Sequence, residues 1–244
     1  MDRQIMNRTI QNYIREVEHS IREPITHREL GRMPFDEAKA FFLLLPFLNG
    51  EEWSYALNTS AIAVGAVHAA FDIHDRVDML DASSKDQQLM VLSGDHFSGI
   101  HYRLLASIPD FKFITAMSEV IGRINETKTN VLMEGMLSPE KLMHAMMCIE
   151  SGCITEFHQS YGFSRYADIS RTALALIWFS RKLMKDPAVQ NGWTSNKMKT
   201  SNIETAISIL TSTLHEELMK AGFLSPFLKQ EIHRMATPLL GKTI

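Results

Sequence analysis

Proline placement is the feature of this sequence that most restricts the folds open to it. The eight prolines leave two long intervals, 47–108 and 140–186, without any proline. A proline inside a helix costs about 3 kcal/mol, so long helices can form in those intervals and should end near the flanking prolines. No segment combines strand alternation with hairpin turns. The sequence therefore predicts an all-helical chain.

Apolar residues at helical spacing support this prediction. Residues 138–162 begin with Ser-Pro and end at Gly162, which predicts both ends of a helix. Ser201 and Glu204 have the spacing of a capping box, which predicts a helix start. Between Ser138 and Gly162 the apolar stripe consists of Leu142, Met146, Ile149, Cys153, Phe157 and Tyr161.

We predict one all-α domain over residues 1–244, a bundle of about eight helices. The irregular stretch 185–200 is the best candidate for a flexible segment, and it comes too late in the chain to separate two full domains. The predicted helices cover 3–21, 35–48, 51–80, 85–107, 111–136, 139–161, 165–185 and 201–221, with a short one at 226–237.

Composition and charge exclude several classes of function. The formal net charge is −3 and Lys and Arg form no cluster, so the phosphate-binding surface of a nucleic-acid-binding protein is not expected. The longest apolar run, 40–48, is too short to span a bilayer, and the first ten residues do not resemble a signal peptide. Two cysteines without an export signal favour the cytoplasm.

A row of aspartates runs through the stretch FDIHDRVDML, residues 71–80, and one residue beyond it. Asp72, Asp75, Asp78 and Asp81 recur at every third position beside His74. On a helix His68, Asp72 and Asp75 would share one face, and two or three carboxylates of such a row suit Mg²⁺ with a bound phosphate. A solvated acidic face near a helix end explains the spacing equally well. Spacing alone leaves both interpretations open.

The neighbouring segments resemble a known family. Trans-type polyprenyl diphosphate synthases carry a helix that ends in His-Asp-Asp-x-x-Asp, followed by a helix with Leu-x-Gly-Asp and a leucine pair. Here IHDRVDM stands in the first place, and Leu92, Gly94, Asp95, Leu104 and Leu105 stand in the second. With IESGCITEFHQSYGF, the pattern is similar to the small subunit (component I) of heptaprenyl diphosphate synthase. The similarity runs from about residue 35 to 165, and more loosely to the end of the chain.

The sequence departs from a catalytic synthase at the residues that would hold metal. His74 and Asp75 match the motif, but Arg76 replaces its second aspartate and Met79 its third, with Asp78 one position early. A guanidinium cannot coordinate a cation. No two aspartates are adjacent, so the family's second Asp-rich cluster is missing, and its basic Gly-Lys-Arg motif is absent too. We expect no catalysis and no bound metal in the isolated chain.

The resemblance implies a two-chain enzyme that makes the menaquinone side chain. This chain would adopt the helical prenyltransferase fold and dock on a catalytic large subunit that carries Mg²⁺. The pair would extend farnesyl diphosphate with isopentenyl diphosphate. Family interfaces would correspond to 85–107 and 111–136 here. Candidates for the wall of the product tunnel or for the interface are Phe71, Met79, Met90, Phe97 and Met117.

Two other functions remain open at this point. His74 and Asp75 also match the doublet of metal-dependent HD-type phosphohydrolases, for which His68 and Asp95 are the nearest further ligands. A helical adaptor unrelated to isoprenoids is the third possibility.

Overall fold

The computed structural model describes residues 2–31, 35–77, 84–184, 186 and 198–236, and its described secondary structure is helical, as predicted. The helices are α1 (Arg3–Ser20), α2 (Pro24–Leu30), α3 (Glu37–Leu43), α4 (Leu45–Leu48), α5 (Tyr55–His74), α6 (Lys85–Ala106), α7 (Phe111–Met133), α8 (Pro139–Ser160), α9 (Ala167–Leu183), α10 (Thr200–Lys220) and α11 (Pro226–Ala236), with a 3₁₀ turn at Ser164–Tyr166. Most of the predicted flexible segment 185–200 lies outside the described residues.

Prolines and serines set several helix ends as expected. Ser138 accepts a hydrogen bond from the amide of Lys141, with Pro139 in the first turn of α8. Ser225 caps α11 in the same way through the amide of Leu228. Gly162 follows α8 with φ 79°, a conformation that favours glycine. The predicted ends of α8 and the predicted start of α11 at residue 226 are therefore confirmed.

Other predicted boundaries are wrong, for identifiable reasons. α1 ends within one residue of its predicted end at 21, but α2, which begins at Pro24, was not predicted; Glu23 caps α2 by accepting a hydrogen bond from the amide of Thr26. The predicted helix 35–48 breaks into α3 and α4 because Pro46 lacks the N–H that would continue the ladder. The capping box at Ser201 is also wrong, because α10 already begins at Thr200.

The fifth helix is largely buried in the bundle. The predicted helix 51–80 begins only at Tyr55, because Ser54 caps it through the amide of Leu57, and its helical residues end at His74. It packs most extensively on α6 and also contacts α1 and α8. Among the described helices it alone is long and apolar enough to cross a membrane, and 67% of its apolar window is buried in the bundle.

Candidate functional site

Charged side chains from five helices meet beside the end of α5. They form what we call the charged cluster: Asp36, Lys39, Asp72, Asp75, Lys128, Glu150 and Arg181. Asp36 caps α3, and Lys39 lies on the first turn of that helix. Lys128 belongs to α7, Glu150 to α8 and Arg181 to α9. Asp72 lies on α5, and Asp75 is the C-cap of α5. The end of the predicted Asp-rich helix is therefore surrounded by charged groups.

The two family segments come together in the structure. The His74 imidazole lies against Gly94, where an added Cβ would stand 1.9 Å from Nε2. The same nitrogen is 3.3 Å from the Val91 carbonyl oxygen and 3.7 Å from Asp95 Oδ1. Gly94 is thus a glycine because α6 must pass directly beneath the imidazole that ends α5.

Asp75, the motif carboxylate, is bound by a lysine of the same chain. Both of its oxygens lie 2.8 Å from Lys128 Nζ. The ammonium also stands over the Phe71 ring, 4.7 Å from its centre, a cation–π contact. The side chains of Lys128 and Asp75 are only 14% and 18% exposed. An ammonium group therefore occupies the position on Asp75 where a metal ion would coordinate.

Asp72, one turn before Asp75 on α5, also pairs with a lysine. Lys39 Nζ lies 3.4 Å from Asp72 and 3.3 Å from Glu150. Burial opposes the charge on Lys39, but the two carboxylates outweigh it and raise the lysine's pKa. Burial raises the pKa of Glu150, and Lys39 offsets this only in part because Asp72 shares the same ammonium. Lys39 is therefore a charged link between α3, α5 and α8.

The remaining pair joins α3 to the end of α9. Arg181 forms a salt bridge with Asp36. Burial alone would raise the pKa of Asp36, whereas Arg181 and Lys39 lower it below its usual value. Each carboxylate of the charged cluster thus lies within 4 Å of a lysine or arginine of this chain.

His68 lies one turn before Asp72 and is 1% exposed. Neither of its ring nitrogens has a hydrogen-bond partner. Burial, with the charges of Lys39 and Lys128, holds its pKa well below the usual value. Its surroundings therefore disfavour a charged imidazole at this position.

These residues do not fit a magnesium cluster. Within the described ranges no group of three or more His, Cys, Asp or Glu side chains is arranged to hold a metal ion. Arg76, which replaces the motif's second aspartate, is exposed, and Asp72 pairs with Lys39. Asp78 and Met79 of the predicted motif lie outside the described residues.

The end of α9 carries a cation at the charged cluster, not an acid. Arg181 lies there, whereas Asp168 is in the first turn at the opposite end of α9, exposed and paired with Arg171. Among the residues of α9 itself, Asp168 is the one acid.

The other predicted residues fall into two groups. Phe71, Gly94, Phe97, Leu105 and Met117 are buried, and Met90 and Leu104 are partly buried against the core. Leu92 is 63% exposed on the surface of α6, and Tyr102, further along the same helix, is also exposed. Of the tunnel or interface candidates that the structure describes, Phe97 and Met117 are almost completely enclosed by core residues.

Sequence analysis missed the cations of the charged cluster. Glu150 was missed as well, although it left a detectable signal as the one charge in MMCIESGC. A charge in such a setting is seldom buried unless it is paired. Lys39 is less distinctive, since two acidic residues come just before it. Lys128 and Arg181 left no comparable signal, because each is an ordinary polar residue of its helix until the fold brings it to a carboxylate.

The ligand set of an HD-type phosphohydrolase is not assembled either. His68 is enclosed beside lysines, Asp75 is bound by Lys128, and Asp95 is mostly exposed beside His74. These side chains make separate contacts and do not share a centre, so the structure gives this alternative no support.

Comparison with known proteins agrees with the family features. The sequence profile of heptaprenyl diphosphate synthase (HEPPP synthase) subunit 1 matches residues 27–222. Heptaprenyl diphosphate synthase component 1 of Geobacillus stearothermophilus is 33% identical over 95 residues, which are 39% of this chain and 43% of that relative. The matched region thus spans less than half of the curated relative.

Solved structures share the fold at low sequence identity. Heptaprenyl diphosphate synthase of Staphylococcus aureus aligns with a TM-score of 0.64 at 14% identity, covering 95% of this chain and 98% of its own. Geranylgeranyl pyrophosphate synthase of Lactobacillus brevis aligns with a TM-score of 0.65 at 13% identity, covering 98% of this chain and 99% of its own. A deletion mutant of the heterotetrameric geranyl pyrophosphate synthase of mint aligns with a TM-score of 0.58 at 17% identity, covering 97% of this chain and 98% of its own.

The helical bundle is therefore of the trans-prenyltransferase type, with a lysine bound to the aspartate of its Asp-rich motif. Because the family profile covers most of the sequence, the chain belongs to the heptaprenyl diphosphate synthase subunit 1 family.

Proposed function

We propose that this chain is the non-catalytic subunit of a two-chain heptaprenyl diphosphate synthase. The observation that carries the proposal is the pairing of Asp75 with Lys128 and of Asp72 with Lys39. Ionising an allylic diphosphate requires metal ions that neutralise the leaving group. Carboxylates already bound to ammonium groups are poor ligands for those ions, so the catalytic metal site would belong to the partner.

The partner would be a large subunit with intact Asp-rich clusters and bound Mg²⁺. The outer surface of α6 supports a docking role, since Leu92 is 63%, Tyr102 44% and Val91 41% exposed on it. The neighbouring helix α7 would contribute, as expected for segments 85–107 and 111–136. Exposed apolar side chains on one helix face are typical of protein interfaces.

The joint reaction would be elongation of farnesyl diphosphate by isopentenyl diphosphate to a heptaprenyl-length chain for menaquinone. A product of that length needs a long apolar groove, because each buried CH₂ contributes about 0.8 kcal/mol. A second subunit can extend the wall of the groove. The described helices and the burial of α5 fit a water-soluble complex, and we propose the cytoplasm as its location.

Product analysis of each chain and of their mixture tests this function. The purified chain, given Mg²⁺ with farnesyl and isopentenyl diphosphates, should form no long product. The catalytic subunit mixed with this chain should form heptaprenyl diphosphate at a higher rate than the catalytic subunit alone. Sustained turnover by this chain without a partner would rule out a non-catalytic role.

Two further measurements separate the alternatives. A metal-dependent phosphatase assay on the isolated chain should be negative, and a positive result would favour the HD-type hydrolase. Failure of the chain to co-purify with the large subunit, or to change its products, would favour an adaptor unrelated to isoprenoids.

A further inference from the structure

A cleft of about 400 Å³ lies between the end of α1, the helix α2 and the helix α6. None of its lining residues belongs to the charged cluster. The buried side chains of Ile21 and Phe97 give the cleft an apolar side. Its basic lining residues are Arg15, His19, Arg22 and His27. The cleft therefore offers nitrogen donors beside an apolar surface.

Local structure brings the basic residues together from two elements. Arg15, His19 and Arg22 follow one another at intervals of four and three residues, the spacing of neighbours on one face of a helix. Arg22 lies just beyond α1, but its amide still donates to the His19 carbonyl oxygen at 3.4 Å, so the helical turn continues there. His27 lines the same cleft from α2.

The helix α2 is held in place beside the cleft. The hydroxyl oxygens of Thr26 on α2 and Ser93 on α6 lie 2.8 Å apart, in a hydrogen bond between buried side chains. Glu23 caps α2 by accepting a hydrogen bond from the Thr26 amide at 2.7 Å. A donor on α2 is therefore preorganised, which lowers the entropic cost of binding a ligand.

Three of the basic side chains are available to a ligand. His19, Arg22 and His27 are exposed, and within the described part of the chain their side chains make no hydrogen bond or ion pair. Arg15, by contrast, already donates from Nε to the Gln11 carbonyl oxygen at 3.3 Å. One guanidinium and two imidazoles are therefore the open donors of the cleft.

The acidic lining residues restrict the kind of ligand that fits. Glu18 and Glu23 offset the charge of the two arginines, and backbone amides, above all that of Thr26, lower the pKa of Glu23 and keep it ionised. A ligand must therefore be held by direct hydrogen bonds rather than by a large excess of positive charge. A phosphate group suits this requirement, because its oxygens point in several directions and can accept from a guanidinium and from separate imidazoles together. A planar carboxylate offers only two oxygens.

We propose that His19, Arg22 and His27 form a binding site for the phosphate group of a small organic phosphate. The Arg22 guanidinium donates two hydrogen bonds to phosphate oxygens, and each imidazole donates one N–H, which even a neutral imidazole has. The volume of the cleft lies in the range of pockets that hold small organic molecules, so the organic part of the ligand lies against Ile21 and Phe97. The site needs no metal ion and is independent of the proposed synthase role.

Calorimetric titration of the purified full chain with phenyl phosphate tests the site, in the presence of EDTA so that no metal ion takes part. Binding should saturate, and Arg22→Gln should weaken it by at least about tenfold, His27→Gln by at least about threefold. The matched controls are Arg8→Gln on α1 and His215→Gln on α10. Both change exposed residues outside the cleft and should leave binding within about twofold.

Two further measurements identify the source of the phosphate group. Inorganic phosphate should bind at least about threefold more weakly than phenyl phosphate, because it makes no contact with the apolar side of the cleft. Vesicles of phosphatidylcholine and phosphatidic acid should not retain the chain. Equal binding of inorganic and phenyl phosphate, retention on vesicles that Arg22→Gln abolishes, equal effects of Arg22→Gln and Arg8→Gln, or absence of saturable binding would each overturn the proposal.

Discussion

At the scale of single residues, the contact between His74 and Gly94 fixes how α5 and α6 approach each other. We expect Gly94→Ala to be less stable than Gly99→Ala by about 1–2 kcal/mol, measured by urea unfolding. Both changes remove a glycine from α6 and bring the same gain in helix propensity, so their difference isolates the contact. A Cβ at Gly99 meets no atom within 4 Å, whereas one at Gly94 meets the imidazole at 1.9 Å.

A His74→Ala background provides the control for this prediction. Without the imidazole, alanine at Gly94 should be tolerated as well as alanine at Gly99. A difference that persists in that background would mean that another neighbour, not His74, requires the glycine.

The pairing of Lys128 with Asp75 makes a second residue-scale prediction. Lys128→Ala should lower the free energy of unfolding by roughly 2 kcal/mol, because it leaves a largely buried carboxylate without its cation. Lys112→Ala is the matched control, since Lys112 is an exposed lysine on the same helix. Adding Asp75→Asn to Lys128→Ala should recover part of the loss. Equal stability of the two lysine variants would contradict the pairing.

Buried histidines predict how stability depends on pH. Burial, partly offset by hydrogen bonds to backbone carbonyls, lowers the pKa of His158 from 6.5 to about 4. Between those values the unfolded chain binds a proton that the folded chain excludes, so stability falls as the pH is lowered. His158 alone should cost roughly 2 kcal/mol between about pH 6.5 and pH 5. Burial lowers the pKa of His68 and of His101 too, which adds to the loss.

Urea unfolding of the unmodified chain and of His158→Gln at several pH values measures this effect. The glutamine cannot titrate, so the variant should lose less stability on acidification. Parallel pH profiles for the two chains would show that His158 does not remain neutral when folded.

At the scale of helices and turns, local sequence signals predict some helix ends, whereas contacts with distant residues are not visible in the sequence. The Ser-Pro openings of α8 and α11 predict their starts correctly, because the serine, the proline and the first amides act within one turn. At the start of α5 the Ser54 cap is local, but Trp53 just before it packs on Phe157 of α8, a contact with a helix far along the chain. Sequence periodicity does not report such contacts.

Asn49 connects two turns that are far apart in the sequence. Its amide nitrogen donates to Tyr166 Oη at 2.9 Å and to the Phe223 carbonyl at 3.0 Å, and its oxygen accepts the Ser225 amide at 3.1 Å. Asn49→Ala should cost about 2–3 kcal/mol, because these partly buried groups lose their partner. Thermal or urea unfolding measures the loss.

Asn125→Ala is the matched control for Asn49, as an exposed asparagine within α7. It should change stability by less than about 0.5 kcal/mol. A small effect at Asn49 as well would mean that water replaces the amide at the junction between the end of α4 and the α10–α11 turn.

At the scale of the whole molecule, the sequence predicts the helical bundle and the motif residues of the site, but not the charged residues that surround them. Proline spacing and helical stripes predict an all-α chain because each is a property of one helix. His74, Asp75 and Gly94 were predicted because they lie in two short motifs. Lys39, Lys128, Glu150 and Arg181 belong to four helices, and only the assembled bundle brings them to the aspartates.

The final prediction concerns association with the catalytic subunit, and it rests on the proposed docking surface of α6. Leu92→Asp should weaken association by at least about tenfold, because an aspartate there would lose its water at an apolar interface. The side chain is 63% exposed in the single chain, so the variant should fold normally. Ile121→Asp on α7 should also weaken association. Because Ile121 is partly buried, the folding of this variant must be checked by circular dichroism.

Ile209→Asp separates a specific interface from a general effect of added charge. Ile209 is an isoleucine on α10 that is 42% exposed, and its replacement should leave association unchanged within about twofold. The dissociation constant of each folded variant with the catalytic subunit gives the answer. If Leu92→Asp binds as tightly as Ile209→Asp, the partner docks on a surface other than α6, and the exposed leucine of the Gly-Asp segment has no part in assembly.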